Sequence, residues 1–281
     1  MGGMGNQMFQ YCYGLNLAKK YNTKFYLDTS FLLDRKPKEN FVFRDFDLEI
    51  FKLDDEYYGG TINYPVPKYL KFINFLLPLS LKNYYKEASF EFDNNSTKIS
   101  QKNIYFEGYW QSPKYFNESI NEIISSFEFN VAFSENVLDK LREIENSNSV
   151  CINVRRGDFV NNNFHGTMGI DYYHKALALL LKETGKELKL FVFSDDVEWC
   201  KNNLQFGQET DFVGHEYKGE KFSSYLYLMQ ACKYFIIPNS SFAWWAAFLS
   251  KSPNKIIYAP KNWFNSTLNT SDLIPSNWIR I

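Results

Sequence analysis

The sequence has few cysteines, and they form no pattern in which a metal would bind. The chain of 281 residues contains four, Cys12, Cys151, Cys200 and Cys232, which lie far apart and form no CxxC or CxxH pair. Cysteines spaced in this way within apolar segments are typical of reduced, buried thiols in a cytosolic protein. We therefore expect no zinc site.

An excess of charge of one sign is also missing. The 31 basic and 32 acidic residues give a formal net charge of −1 and are spread along the whole sequence. A general nucleic-acid-binding protein normally carries a basic surplus on one domain, so nucleic acid is not an expected partner. No apolar run approaches the roughly 20 residues of a membrane-spanning helix. No glycine-rich loop ends in Gly-Lys-Ser/Thr, which argues against a kinase or NTPase.

The second half of the chain alternates apolar strands with helices. The pattern predicts strands at 150–154, 188–193, 234–237 and 255–258, and helices at 172–182, 197–203, 222–232 and 242–250. Continuously apolar strands that alternate with helices indicate a parallel sheet covered on both faces. Ligands of such sheets bind beyond the carboxyl ends of the strands.

The first half is less regular. A helix is expected from Gln7 to Tyr21, after a glycine loop, and short strands at 24–28 and 104–109. Residues 69–85 are apolar and aromatic, with Lys68, Lys71, Lys82 and Lys86 among them. The favoured interpretation is a core-packed helix pair around a central proline. A peripheral membrane contact and a lid on the acceptor side are the alternatives.

A pair of arginines follows the first apolar strand of the second half. Arg155 and Arg156 should point to opposite sides, so that one enters the crevice while the other pairs with a carboxylate. A guanidinium fork suits a diphosphate because it donates two hydrogen bonds to non-bridging oxygens. Gly157 permits a tight turn beside the ligand. A surface ion pair between Arg156 and Asp158 is the alternative interpretation.

Two further polar clusters follow strands. Asp195 and Asp196 come after the strand at 188–193, where a carboxylate can accept hydrogen bonds from N1 and N2 of guanine. Ser240 and Ser241 open a helix, whose N-terminal N–H groups and hydroxyls form an anion site. Helix capping explains at least one aspartate and one serine equally well. Together the clusters predict a site for a nucleotide diphosphate.

Five motifs in register resemble those of the bacterial α-1,2-fucosyltransferases, and the match covers nearly the whole chain. They are GGMGNQMFQY (residues 2–11), GYWQS (108–112), VRRGDF (154–159), FSDD (193–196) and NSSFAWWAA (239–247). The resemblance implies an α/β, GT-B-like fold of two Rossmann-type domains with parallel sheets. Residues 1–135 would form the acceptor-side domain and residues 136–281 the GDP-fucose-binding domain.

The resemblance also implies roles for individual residues. Arg155 should contact the β-phosphate of the donor, Arg156 should form a supporting ion pair, and Asn6 should face the fucose and the leaving oxygen. Asp195 or Asp196 should bind guanine, and the two serines the phosphates. Arg155 and Asn6 are the expected catalytic residues, and the expected donor-site residues are Gly5, Asn6, Asn153, Arg155, Arg156, Asp158, Asp195, Asp196, Ser240, Ser241 and Phe242. No metal and no cofactor besides the donor GDP-fucose is expected.

The sequence departs from the family pattern in two places. The family has histidine where this chain has Asn153, which can donate a hydrogen bond but cannot act as an acid. The family also has a strand before the glycine loop, so the first domain is expected to lack a central strand. A catalytic base is not assigned; the candidates are Asp158, Glu107 and His165.

The expected reaction moves L-fucose from GDP-fucose to a sugar hydroxyl with inversion, at the 2-hydroxyl of a galactoside. A transferase with the same donor but another linkage or acceptor is one alternative. A nucleotide-sugar-binding protein without catalysis is the other. The family resemblance implies a glycan acceptor as partner and a cytoplasmic location, peripheral to the inner face of the membrane.

Overall fold

The chain forms two compact units. The computed structural model describes residues 1–36, 42–63, 66–99, 103–160, 162 and 164–281. Unit 1 consists of Met1–Asn130 and Leu268–Ile274, and unit 2 of Val131–Thr267 and Pro275–Ile281. The sequence placed the division between residues 135 and 136 and gave the whole second half to one domain.

The described residues of unit 1 form short parallel strands and five helices. Its helices are α1 (Met4–Tyr21), α2 (Ser30–Leu33), α3 (Asp55–Tyr58), α4 (Lys68–Leu76) and α5 (Ile120–Ser126). Its strands are β1 (Leu27–Asp28), β2 (Thr61–Ile62), β3 (Tyr84–Lys86) and β4 (Tyr105–Glu107). β1 pairs with β2 and β3 with β4, both in parallel.

The two strand pairs of unit 1 are separate sheets in the part of the chain that is described. A cavity of about 1340 Å³ is lined by residues of β1, β4 and α1. The aromatic core beside it includes Trp110, stacked on Tyr13 with ring centroids 4.1 Å apart.

The interpretation of residues 69–85 as a core-packed helix pair is wrong. The segment forms α4, a single 3₁₀ turn at Leu79–Leu81 and then β3. The apolar side chains of α4 are largely exposed; Phe72, for example, keeps 69% of its surface accessible. Among the side chains of this helix that the structure describes, the buried one is the polar Asn74, which apolar composition alone does not reveal.

Unit 2 has one six-stranded parallel sheet. Its strands are β5 (Ser149–Val154), β6 (Lys189–Ser194), β7 (Glu209–Val213), β8 (Tyr234–Ile236), β9 (Ile257–Ala259) and β10 (Ile279–Arg280). Its helices are α6 (Glu135–Glu145), α7 (Ile170–Thr184), α8 (Val197–Asn203), α9 (Ser223–Gln230) and α10 (Ser241–Leu249). The predicted parallel α/β domain is confirmed.

The strand order of this sheet is β7-β6-β5-β8-β9-β10. Numbered from β5, this is 3-2-1-4-5-6, the order of doubly wound dinucleotide-binding folds. Every residue of β5, β8 and β9 is buried, as expected for strands covered on both faces. The chain runs outward from β5 to β7 and then returns to β8, so the switch point lies between β5 and β8.

The four cysteines are buried and free, as the sequence predicted. Among the residues that the structure describes, no helix is long and apolar enough to cross a membrane.

Candidate functional site

The candidate site in unit 2 lies where β5 and β8 end side by side. Ile152 of β5 is level with Ile236 of β8, and neighbouring parallel strands are about 4.8 Å apart. Continuing this register places Arg155 level with Asn239. Ligands of open α/β sheets bind in the crevice at this switch point, outside the carboxyl ends of the strands. Two of the predicted clusters therefore flank one crevice.

Arg155 is held from two sides by carboxylates. Its Nη2 forms an ion pair with Asp158, and its Nη1 lies 2.9 Å from Oδ2 of Asp195. The guanidinium also lies over the ring of Phe159, 5.2 Å from its centroid. These contacts fix the plane of the guanidinium before any ligand arrives. Because arginine has five N–H donors, capacity remains for phosphate oxygens.

Arg156 has different partners from Arg155. Its guanidinium stacks on the ring of Trp199, 3.7 Å from the centroid, and its Nε donates to Asp196 over 3.3 Å. The expected supporting ion pair of Arg156 is therefore present, and its partner is Asp196. Asp158, the partner in the alternative interpretation, forms an ion pair with Arg155.

Asp195 links the two arginines. Its Oδ1 accepts a hydrogen bond of 2.9 Å from the backbone N–H of Arg156, while its Oδ2 faces Arg155. A Cβ atom at position 157 would lie 2.6 Å from that same Oδ2. Gly157 is thus required by the close approach of the carboxylate.

Capping explains one aspartate and one serine, as the sequence suggested. The side chain of Asp196 accepts a hydrogen bond of 3.2 Å from the backbone N–H of Trp199 and so caps α8. Ser240 is the N-cap of α10 and accepts from the N–H of Ala243. Ser241 and Phe242 are the first two residues of this helix. Helix geometry leaves their N–H groups without intrahelical partners, available to an anion.

Asn153 and Asn239, at the ends of β5 and β8, donate hydrogen bonds to backbone carbonyl groups of other segments. Asn153 is 8% exposed and donates a hydrogen bond of 3.1 Å to the carbonyl oxygen of Phe193. Asn239 donates to the carbonyl oxygens of His165 over 2.8 Å and of Trp263 over 3.1 Å. Asn239 therefore ties two loops to the end of β8. The structure gives Asn153 a structural contact to β6.

Asn6 lies in the first turns of α1, in unit 1, and is half-buried. Its Oδ1 accepts a hydrogen bond of 2.5 Å from Nε2 of Gln111. Gly5 is buried beside it. Gln7 serves a different purpose, because its amide donates to the carbonyl oxygens of Gly2 and Asp45. The two motifs GGMGNQ and GYWQS therefore meet through the amide pair of Asn6 and Gln111.

A half-buried carboxylate shapes the turn that presents Gln111. Glu87 accepts hydrogen bonds from the backbone N–H groups of Tyr109 over 2.7 Å and of Trp110 over 3.0 Å. Trp110 has a left-handed backbone with φ of 55°, which is rare for a bulky residue and indicates local strain. Burial raises the pKa of Glu87 despite these two hydrogen bonds.

The three candidates for a catalytic base lie in different surroundings. Asp158 is paired with Arg155. Burial alone would raise the pKa of Glu107, but hydrogen bonds from Lys71 and Tyr84 and the charges of nearby lysines lower it overall. The ring of His165 stacks on Phe159 at a centroid distance of 4.5 Å, and burial lowers its pKa.

Sequence reasoning missed the aromatic supports of the arginines and the partner of Asn6. Trp199 lies three residues after Asp196, where the first turn of a helix returns to its cap, so this spacing could have revealed it. Phe159 and Gln111 lie inside quoted motifs, but no local pattern showed which residue each contacts. Among the described residues, no group of three or more His, Cys, Asp or Glu side chains could hold a metal ion.

Comparisons with known proteins place this chain in a family. Residues 65–281 match the model of glycosyl transferase family 11. The chain is 34% identical to an alpha-1,2-colitosyltransferase of Escherichia coli, over all of this chain and 96% of that protein. It is 31% identical to the O-antigen biosynthesis glycosyltransferase WbnK of Escherichia coli, over all of this chain and 98% of that protein.

More distant similarities are also present. A galactoside 2-alpha-L-fucosyltransferase of Caenorhabditis elegans is 28% identical over 53% of this chain and 43% of that protein. The structure of a variant of Arabidopsis thaliana FUT1 in complex with GDP aligns with a TM-score of 0.49 at 10% identity, over 94% of this chain and 70% of that chain. With the family match covering most of its length, the chain belongs to glycosyl transferase family 11 and is a glycosyltransferase.

Proposed function

We propose that this protein is an α-1,2-fucosyltransferase, which transfers L-fucose from GDP-fucose to the 2-hydroxyl of a galactoside with inversion and without a metal. The observation that carries the proposal is the preformed orientation of Arg155 at the switch point of the unit 2 sheet, where the strand register puts it level with Asn239, two residues before α10. Family membership supplies the reaction class.

In the proposed reaction, the acceptor oxygen attacks C1 of fucose on the face opposite GDP. The bond between C1 and the β-phosphate oxygen breaks, and GDP leaves with the electron pair. The acceptor hydroxyl loses its proton to a base or to solvent. Negative charge therefore grows on the departing diphosphate as the sugar becomes oxocarbenium-like.

Arg155 and the N–H groups of Ser241 and Phe242 supply positive charge where that negative charge develops. In comparable sites, removing one such preorganised donor raises the activation free energy by about 3 kcal/mol. Asp158 and Asp195 orient Arg155 before the donor binds, which removes the cost of fixing the side chain during the reaction. In the proposal, Asn6 acts on the sugar side, held by Gln111.

Colitosyl transfer is a second candidate, favoured by the 34% identity to an alpha-1,2-colitosyltransferase over nearly its whole length. Colitose is L-fucose without its 3-hydroxyl. A site built to hydrogen-bond that hydroxyl rejects a donor that lacks it by a factor of about 10⁴. A site without such a partner would accept both sugars at similar rates.

The test supplies GDP-fucose and GDP-colitose separately, each with a β-galactoside acceptor in metal-free buffer. Product linkage is then read by NMR. Formation of an α-1,2-fucoside at a higher kcat/KM than the colitoside supports the proposal. Preferential use of GDP-colitose assigns the second candidate. No product from either donor, with a folded protein and a set of galactosides, contradicts both.

A further inference from the structure

Helix α4 buries a polar residue and exposes apolar ones. Asn74 is 1% exposed, and its Oδ1 accepts hydrogen bonds from the backbone N–H groups of Asn83 over 2.7 Å and of Tyr84 over 2.9 Å. Lys71 pairs with Glu107 of β4. Hydrogen bonds and an ion pair therefore attach α4 to unit 1.

The opposite side of α4 is an apolar stripe in contact with solvent. Tyr69, Phe72, Ile73 and Leu76 recur at the i, i+3, i+4, i+7 spacing of a single helix face, and they are 64%, 69%, 48% and 70% exposed. The exposed residues Leu79 and Leu81 continue the surface beyond the helix. Contiguous apolar surface of this kind marks an interaction site.

The surroundings of the stripe are basic. Residues 57–86 contain four lysines and no aspartate or glutamate, although the whole chain carries a net charge of −1. Lys68 is exposed at the start of α4. The side chain of Lys86 is 67% exposed at the end of the segment, and its Nζ lies 3.6 Å from Oε1 of Glu107, the carboxylate that also pairs with Lys71. Four lysines and the single carboxylate of Glu107 leave positive charge beside the stripe, which suits a partner that has both an apolar and a negatively charged part.

We propose that α4 and the turn after it bind the surface of an anionic lipid bilayer, with the stripe at the boundary between headgroups and acyl chains. A helix of nine residues is about 13 Å long, far short of a hydrocarbon core of about 30 Å, so it lies in the interface. Apolar side chains enter the boundary while the lysines contact anionic headgroups.

A second copy of this chain fits the surface less well. A symmetric dimer through the stripe would bring two sets of lysines together, and like charges oppose that contact. The inference does not depend on the donor or the acceptor of the proposed reaction.

The test is flotation of the full chain with two kinds of vesicle, pure phosphatidylcholine and phosphatidylcholine mixed with phosphatidylglycerol. The unaltered protein should bind the anionic vesicles at least about tenfold more strongly than the neutral ones, and rising salt should weaken the binding. Phe72→Glu and Lys68→Glu should each reduce binding to the anionic vesicles. Leu33→Glu is the matched control, because Leu33 is 59% exposed on α2, outside the stripe. This variant should bind vesicles as the unaltered protein does.

Thermal unfolding and circular dichroism establish that the variants are folded. Equal binding of the unaltered protein and Phe72→Glu to anionic vesicles would overturn the proposal, as would absence of vesicle binding. Size-exclusion chromatography without lipid measures whether the chain forms a dimer through the stripe. A dimer that Phe72→Glu dissociates, with no binding to vesicles, would assign the stripe to a second copy and also overturn the proposal.

Discussion

The carboxylate of Asp195 lies 2.9 Å from the guanidinium of Arg155, joining the ends of two neighbouring strands, β5 and β6. The other oxygen of Asp195 accepts the backbone N–H of Arg156. One carboxylate therefore sets both the side-chain direction of Arg155 and the path of the chain that follows β5. This arrangement makes Asp195 a positioning residue for Arg155, and guanine recognition by Asp195 or Asp196 stays a prediction.

Asp195→Asn should lower affinity for GDP and kcat/KM by about tenfold each, because the amide keeps an acceptor for Arg156 but loses the charge that orients Arg155. Calorimetry and steady-state kinetics measure the two effects. Asp211→Asn is the matched control, since it breaks the ion pair with Lys140, far along the sheet on β7. Unchanged GDP affinity in Asp195→Asn would contradict the positioning role.

Gly157→Ala should lower kcat/KM strongly, because the new methyl group would lie 2.6 Å from Oδ2 of Asp195 and displace that carboxylate from Arg155. Gly169→Ala, at a position where a Cβ meets nothing within 4 Å, should keep its activity. Kinetics of the two variants, with melting temperatures to establish folding, check this expectation. Equal activities would show that the close approach at Gly157 does not matter for turnover.

Asn6→Ala should lower kcat by about 100-fold, the size expected when one transition-state hydrogen bond is lost. Gln111→Met should lower kcat less, because it removes only the bond that orients Asn6. The double variant should be no slower than Asn6→Ala alone, since coupled residues are not additive. Additive losses in kcat would show that Gln111 acts independently of Asn6.

Loss of His165 should change the pH dependence of stability. Burial lowers the pKa of His165 below its ordinary value of 6.5, so the unfolded chain binds more protons than the folded one just below that pH. The free energy of unfolding should therefore fall as pH drops below about 6.5, and His165→Phe should lack this contribution. Urea titrations at several pH values measure it. Identical pH profiles for the two proteins would contradict the lowered pKa.

The same variant separates packing from catalysis. Phenylalanine preserves the stacking on Phe159, so a structural role predicts nearly unchanged kcat at pH 7 for His165→Phe. A general base contributes about 10²- to 10⁴-fold, and a loss of that size would make His165 the base.

Much of unit 2 was predictable because its strands are buried on both faces. The central strand β5 follows from a run of mostly apolar residues, and the helix Val197–Asn203 has the bounds that the sequence predicted. β7 was missed, because Glu209–Val213 is an edge strand with only its last residue buried. An edge strand of this kind has too little apolar sequence to be recognised.

The polar clusters of the site were predictable, but their pairing was not. A parallel sheet places the carboxyl ends of its strands at one edge, so Arg155, Asp195 and Ser240 fall in one region regardless of their side-chain directions. The choice of Asp158 over Asp196 as the partner of Arg155 depends on side-chain directions, which sequence spacing does not determine. In unit 1, burial of Asn74 and exposure of Phe72 reverse what hydropathy predicts, because α4 is attached through hydrogen bonds.

The central claim is that Arg155 binds the diphosphate of a guanosine nucleotide without a metal. Arg155→Ala should abolish measurable turnover, and Arg155→Lys should keep only a trace, because a lysine cannot make the two-pronged contact. A fully active lysine variant would contradict that contact.

The most direct measurement is calorimetric titration of the unaltered protein and Arg155→Ala with GDP and with UDP, in buffer containing a chelator. The unaltered protein should bind GDP but not UDP, and Arg155→Ala should bind neither. Equal binding of GDP by both proteins, or no binding of GDP by the folded unaltered protein, would contradict it.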